Sequence, residues 1–130
     1  MAVTFEHSFF VKPEDIDSQG HVNNVRYVQW IQDVAIAHWQ EAATAEQLED
    51  LTWVVLRHEI DYLRPAFEGE EITARTWLGR ATAAKSERLT EILRDSEILV
   101  RAKSLWCALD SKSLRPKRID DDLKVKFGMS

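Results

Sequence analysis

The chain has 130 residues, 45% of them apolar, and a formal net charge of −5; this predicts one domain, residues 1–130, with a substantial core. The acidic balance argues against a nucleic-acid partner, because phosphate-backbone binders carry a basic surplus, and no apolar run reaches the roughly 18 residues that span a bilayer. The single cysteine, Cys107, has no partner for a disulfide or a zinc site, and the N-terminal stretch to His7 lacks the basic and apolar regions of a signal peptide, so a reducing cytoplasm is the expected compartment.

Phe5 to Val11 alternate weakly and stop at Pro13, which predicts a first strand. Pro13 to Gly20 reads as a polar loop carrying Glu14, Asp15 and Asp17, with Asp15 expected in solvent. Gly20 marks a positive φ or a close approach to something bound. A long helix is predicted from Asn23 or Asn24 to about Ala43, since Asn is a strong N-cap. Val28, Ile31, Val34, Ala35, His38 and Ala42 share one face of it, Tyr27, Trp30 and Trp39 widen that face, and the polar strip is narrow. A helix this apolar is wrapped by other structure rather than laid on a surface. Thr44 to Asp50 is an acidic connection with room for a short helical turn.

From Leu51 the period becomes two. In Thr52 to Arg64 the spacing puts Val54, Leu56, Ile60 and Tyr62 on one side of a strand, with Arg57, Glu59 and Asp61 on the other, until Pro65 ends it. Glu68-Gly69-Glu70 predicts a turn. Ile72, Ala74, Thr76 and Leu78 form the next alternating set, followed by a turn placed between Gly79 and Ser86. Leu89 to Arg94 alternate again, Asp95-Ser96 predicts a tight hairpin, and Ile98 to Leu109 reads as the longest strand. The tail from Ile119 reads as polar and mixed. Strand, long helix, then four antiparallel strands gives the α+β class, with the helix covering one face of a strongly curved antiparallel sheet.

The densest chemistry lies in Asp17-Ser18-Gln19-Gly20-His21-Val22-Asn23-Asn24, a carboxylate, an imidazole and two amides at the mouth of the helix N-terminus. Such a terminus polarises carbonyl groups. Two roles are open to Asp17 from position alone, closure of an Asx-turn or action as a catalytic carboxylate. Asn23 and Asn24 have an adequate account as cap and turn residues, and His21 as a polar neighbour of the helix start. Other schemes fit worse. No Gly-x-Ser-x-Gly elbow is present, Cys107 lies inside a predicted strand, and His7, His21, His38 and His58 show no metal-ligand spacing, so no metal is expected. Chemistry built on one carboxylate plus backbone donors remains.

Asp17-x-x-Gly20-His21-Val22-Asn23-Asn24-x-x-Tyr27-x-x-Trp30 resembles the signature of hotdog-fold thioesterases of the 4-hydroxybenzoyl-CoA thioesterase type. The same segment resembles that of plant acyl-carrier-protein thioesterases, although Gln19 stands where that branch carries asparagine. The stretch from Ile60 to Glu70, a strand ending in Pro65 and a Gly-acidic turn, is similar to a second feature of the family. The resemblance implies a hotdog fold, a curved antiparallel sheet around one long central helix, in homodimers or homotetramers with active sites at the dimer interface. It implies an acyl-CoA thioesterase in which Asp17 is nucleophile or general base, His21 matches the plant-branch histidine, and the backbone N–H of Asn24 polarises the thioester carbonyl behind Gly20. Coenzyme A is then part of the substrate, and no separate cofactor is implied.

Asn23, Tyr27, His58 and Glu59 are candidate substrate contacts, with at most one of the last two able to face the site from a regular strand. Lys85, Ser86 and Arg88 are candidates for the coenzyme A phosphates. The rival readings are an acyl-carrier-protein thioesterase, a hotdog hydratase that leans on His21, and an acyl-CoA binding module without turnover. A binding module has no need of Asp17 or Gly20.

Overall fold

The computed structural model describes residues 3–130; Met1 and Ala2, part of the N-terminal stretch read above as carrying no signal peptide, lie outside them. The chain runs β1 (Phe5–Phe10), a 3-10 turn (Pro13–Asp15), α1 (Asn24–Ala42), α2 (Ala45–Asp50), β2 (Leu51–Tyr62), β3 (Glu71–Thr82), β4 (Lys85–Arg94), β5 (Glu97–Asp110) and α3 (Asp121–Phe127). The strands form one antiparallel sheet in the order β1-β3-β4-β5-β2. It curves around α1, as the resemblance implies.

Helix α1 starts where the amide of Asn23 accepts the Val25 N–H at 3.1 Å. Its buried face is Tyr27, Trp30, Ile31, Val34, Ala35 and His38, close to the predicted stripe. Tyr27, Trp30, Ile31 and Val34 pack on Ile72, Ala74, Ile92, Leu99, Val100 and Ala102 of the sheet. A second apolar cluster sits at the other end of the helix, where Leu78, Ala81 and Ala108 meet Ile119, Leu123 and Phe127. Between the two lies a layer of buried polar side chains: His38 of α1, Thr76 of β3, Arg88 and Thr90 of β4, and Ser104 of β5.

Four expectations change. In β2 the register slips between Val55 and Arg57, so Leu56 is an extra residue. The bulge reverses the alternation: Val54 and Leu56 are 38% and 51% exposed, whereas Ile60 packs on the core. The four residues read as one side therefore lie on two. The turn placed from Gly79 to Ser86 is only Ala83 and Ala84, because β3 continues through Gly79 to Thr82. Gly79 is there for closeness rather than for a turn; a Cβ on it would sit 3.1 Å from Leu89 Cδ2. Asp15 is buried, accepting the Lys12 N–H at 2.9 Å and facing Arg26 Nε at 3.3 Å, so it ties the 3-10 turn to α1 instead of meeting solvent. The tail is not merely polar. Asp120 caps α3 through the Leu123 N–H, Gly128 ends it at φ +71, and Ile119, Leu123 and Phe127 bury one stripe against α1 and the sheet.

Candidate active site

The loop between β1 and α1 is folded around Asp17. Gly20 N–H donates to the Asp17 carbonyl at 3.1 Å and Asp17 N–H to the His21 carbonyl at 2.9 Å, closing a tight turn. Gly20 holds φ +88 with nothing within 4 Å of where a Cβ would be, so the backbone conformation alone requires glycine. Asp17 Oδ1 accepts the Gln19 N–H at 2.9 Å, the Asx-turn weighed from the sequence. Oδ2 remains, 3.7 Å from His21 Nδ1, on a side chain 26% exposed. The turn uses one carboxylate oxygen and leaves the other for chemistry. Val22 N–H to the Ala66 carbonyl and Asn23 N–H to the Asp15 carbonyl, each 2.9 Å, hold the loop against the body of the protein.

Asn24 is the first helical residue, and its N–H has no acceptor among the described residues. The amide oxygen of Asn23 is occupied as the cap. Tyr27, a candidate substrate contact, is buried; its hydroxyl accepts the Ala66 N–H at 3.0 Å and pins the Pro65–Ala66 segment onto α1. Burial pushes that phenol above its ordinary pKa.

Strand β2 runs back along α1, with Tyr62 near Asn24, His58 near Gln32 and Trp53 against Trp39. Of the adjacent pair, His58 faces inward and Glu59 outward, where Glu59 pairs with Arg57. His58 Nδ1 is 2.6 Å from Ser104 Oγ, and Nε2 is 3.4 Å from the Gln32 amide nitrogen. Burial pushes His58 below its ordinary pKa, so the ring is neutral at pH 7. Gln32 and Ser104 were not read as site residues. The one sequence signal for Ser104 is a hydroxyl interrupting the apolar face Val100, Ala102, Trp106, Ala108.

Lys85, Ser86 and Arg88 do not join this group. The Asp17 loop sits by the start of β3, through Ala66 and the Val11–Glu70 pairing, whereas Lys85 lies opposite Thr82 at its end. Twelve residues of β3 separate them, roughly 35 Å of strand. Lys85 is exposed, while Ser86 and Arg88 point into the protein. The three therefore present no common surface to a phosphate. Among the described residues no group of three or more His, Cys, Asp or Glu gathers in a way that would hold a metal, and no helix is long and apolar enough to cross a membrane.

The family model of the thioesterase-like superfamily matches residues 11–127. An uncharacterised Mycobacterium tuberculosis protein is 25% identical over 88% of this chain and 45% of its own length. A chloroplast acyl-(acyl-carrier-protein) hydrolase of Cuphea viscosissima is 25% identical over 96% of this chain and 33% of its own. The chain thus spans between a third and a half of these curated relatives. A thioesterase from Thermus thermophilus solved with coenzyme A and zinc superposes with a TM-score of 0.82, covering 94% of this chain and 90% of that one at 21% identity, so the two share the hotdog fold. With the family model spanning β2 to β5 and all three helices, the chain belongs to the thioesterase-like superfamily.

Proposed function

We propose that the protein hydrolyses acyl-CoA thioesters, with Asp17 as the catalytic carboxylate and the N-terminus of α1 as the oxyanion donor. The observation that carries this is the Asp17 turn. It fixes a half-buried carboxylate with one oxygen uncommitted, beside His21 and just ahead of an unfilled helix N–H. A thioester carbonyl is electrophilic and its thiolate leaves readily, so a strong nucleophile is not needed. Acting as base, Asp17 takes a proton from water as the water oxygen bonds to the carbonyl carbon. The negative charge gathers on the carbonyl oxygen, where the Asn24 N–H and the helix dipole oppose it. Collapse breaks the C–S bond, the coenzyme A thiolate takes up the proton, and the acid departs. Acting as nucleophile, Asp17 bonds to the same carbon, the C–S bond breaks and the coenzyme A thiolate leaves, and water then cleaves the resulting anhydride to return Asp17 and the free acid. His21, against Oδ2, positions the carboxylate in either route.

A second copy of the chain completes the site in this reading. Strand β2 is an edge strand of twelve residues with exposed Val54 and Leu56 beside its unpaired backbone groups. An edge this long and apolar is ordinarily covered, and two-fold antiparallel pairing of β2 with its copy does so. That pairing brings the Tyr62 end of one β2, with its Asp17 loop, to the Leu51 end of the other.

The test is thiol release from a panel of acyl-CoA esters. Asp17→Asn should keep the fold and lose about 100-fold or more of kcat/KM, the scale of losing one well-placed catalytic group. Near wild-type turnover by that variant would refute the assignment. The likeness to the Cuphea hydrolase favours one alternative, an acyl-carrier-protein thioester as substrate. Turnover of acyl-carrier-protein esters with none of the acyl-CoA panel would select it.

A further inference from the structure

A cavity opens far along α1 from the Asp17 loop. It lies under the C-terminal half of α1 and holds about 320 Å³, a volume at the small end of the range typical for small-molecule sites. Ile36, Gln40, Leu48 and Thr52, all exposed, form its rim. Trp39, Trp53, Trp106 and Phe127 wall it, and the buried Ser86 and Arg88 lie at its floor.

Arg88 is 7% exposed. Its Nη1 donates to His38 Nδ1 at 3.0 Å and to Thr76 Oγ1 at 3.1 Å. Neither partner carries charge. The Thr76 hydroxyl itself donates to the Leu89 carbonyl at 2.8 Å. His38 lies between the rings of Phe5 and Phe127, and burial with the adjacent guanidinium pushes it down to about 4, so it is neutral and accepts through Nδ1. Burial lowers Arg88 itself only to about 10, leaving it cationic at pH 7. Among the described residues no carboxylate lies within 4.0 Å of the guanidinium, and neither Nε nor Nη2 donates to an acceptor. A buried cation facing only neutral partners is a costly arrangement. Two further donors are short of acceptors in the same walls, the indole N–H groups of Trp53 and Trp106, both buried and unpaired.

We propose that this cavity receives the far end of the acyl group, and that the acyl group ends there in a carboxylate paired with Arg88. The substrates are then ω-carboxyacyl thioesters. With Nη1 engaged, Nε and Nη2 are the edge of the fork that grips a carboxylate through two parallel bonds. Aromatic walls suit the methylene chain. The assignment rests on the thioester-hydrolysis reading, and on the pairing of two copies that brings one Asp17 loop to the rim of the other copy's cavity.

The test compares octanoyl-CoA with suberoyl-CoA, equal in carbon number and differing in a terminal methyl or carboxylate. Shorter and longer matched pairs are run alongside. The wild-type protein should favour the carboxylate member of the best pair by about 100-fold or more in kcat/KM, as sites with buried donors do. Arg88→Met should abolish that preference, and Arg88→Lys should keep part of it. Wild-type preference for the methyl member, or a variant that lowers both members equally, overturns the proposal. The wild-type ratio decides the matter even if Arg88→Met does not fold. Should no thioester be cleaved at all, the hydrolysis reading fails separately, and thermal shift with free suberate and octanoate tests the cavity by itself. Stabilisation by suberate alone, reduced in Arg88→Lys and lost in Arg88→Met, supports the pairing; equal or absent shifts overturn it.

Discussion

Tyr27 shows how a residue in the signature segment serves the site without touching it. Its hydroxyl is the acceptor for the buried Ala66 N–H, and the Ala66 carbonyl in turn holds Val22 in the Asp17 loop. Tyr27→Phe removes that acceptor and adds nothing, so the N–H is left without a partner. We predict a loss of about 1–3 kcal/mol in urea unfolding, with a fall in kcat from a loosened loop. An unchanged urea midpoint would mean that water or a shift of Ala66 replaces the phenol. Asp17 stood out in the sequence because an acid, a glycine and a histidine crowd one turn. Asp15 was misplaced in solvent for the opposite reason. Its burial comes from Arg26, eleven positions on and brought back by the helix, a contact that local pattern does not encode.

Among the elements, α3 departs most from its sequence reading. Its buried residues come only every fourth position, among Asp, Lys and the exposed Val125, too sparse for composition to flag. Yet Asp120, Ile119, Leu123, Phe127 and Gly128 together spell a capped helix with one narrow stripe. Phe127 is fully buried, stacked on Trp39 with centroids 5.4 Å apart and set edge-on to His38 at 5.2 Å. Phe127→Ala should cost about 3–5 kcal/mol, the range for truncating a buried aromatic, read as a lowered urea midpoint and Tm. A cost under about 1 kcal/mol would show that α3 only rests on the domain. The β2 bulge was illegible for a related reason. Val54 and Leu56 alternate correctly with their neighbours, and only pairing with β5 exposes the extra residue. The helix α1, β3 and β5 were legible because each is long, with one dominant period.

At the level of the whole molecule, the buried polar layer couples stability to pH through His38. In the native state its pKa is pushed down to about 4 from 6.5 by burial and by Arg88 on β4, with Phe5 of β1 and Phe127 of α3 closing the other sides. Between those values the unfolded chain binds the proton and the folded one does not, so stability falls as pH drops from about 6.5 to about 4. The full effect is on the order of 3 kcal/mol. Urea midpoints measured from pH 7 to pH 4.5 should decline more steeply in the wild-type protein than in His38→Gln. Parallel slopes would place the pH dependence elsewhere. Nothing in the sequence marked this layer as a unit. His38, Thr76 and Ser104 are single polar interruptions on α1, β3 and β5, Arg88 and Thr90 fall together on β4, and only folding gathers them into one layer.

That layer also fixes how the strands line up. Sliding a strand by two residues returns every side chain to its own face, so alternation does not forbid it. Thr76 now stands opposite Thr90, their hydroxyls 3.2 Å apart, with the pairs Ala74–Ile92 and Leu78–Arg88 on either side. A two-residue slip of β4 would carry Arg88 away from His38 and set Ile92 or Arg88 against Thr76. The polar stratum therefore works as an alignment mark, penalising the one error that hydrophobic patterning alone would let pass.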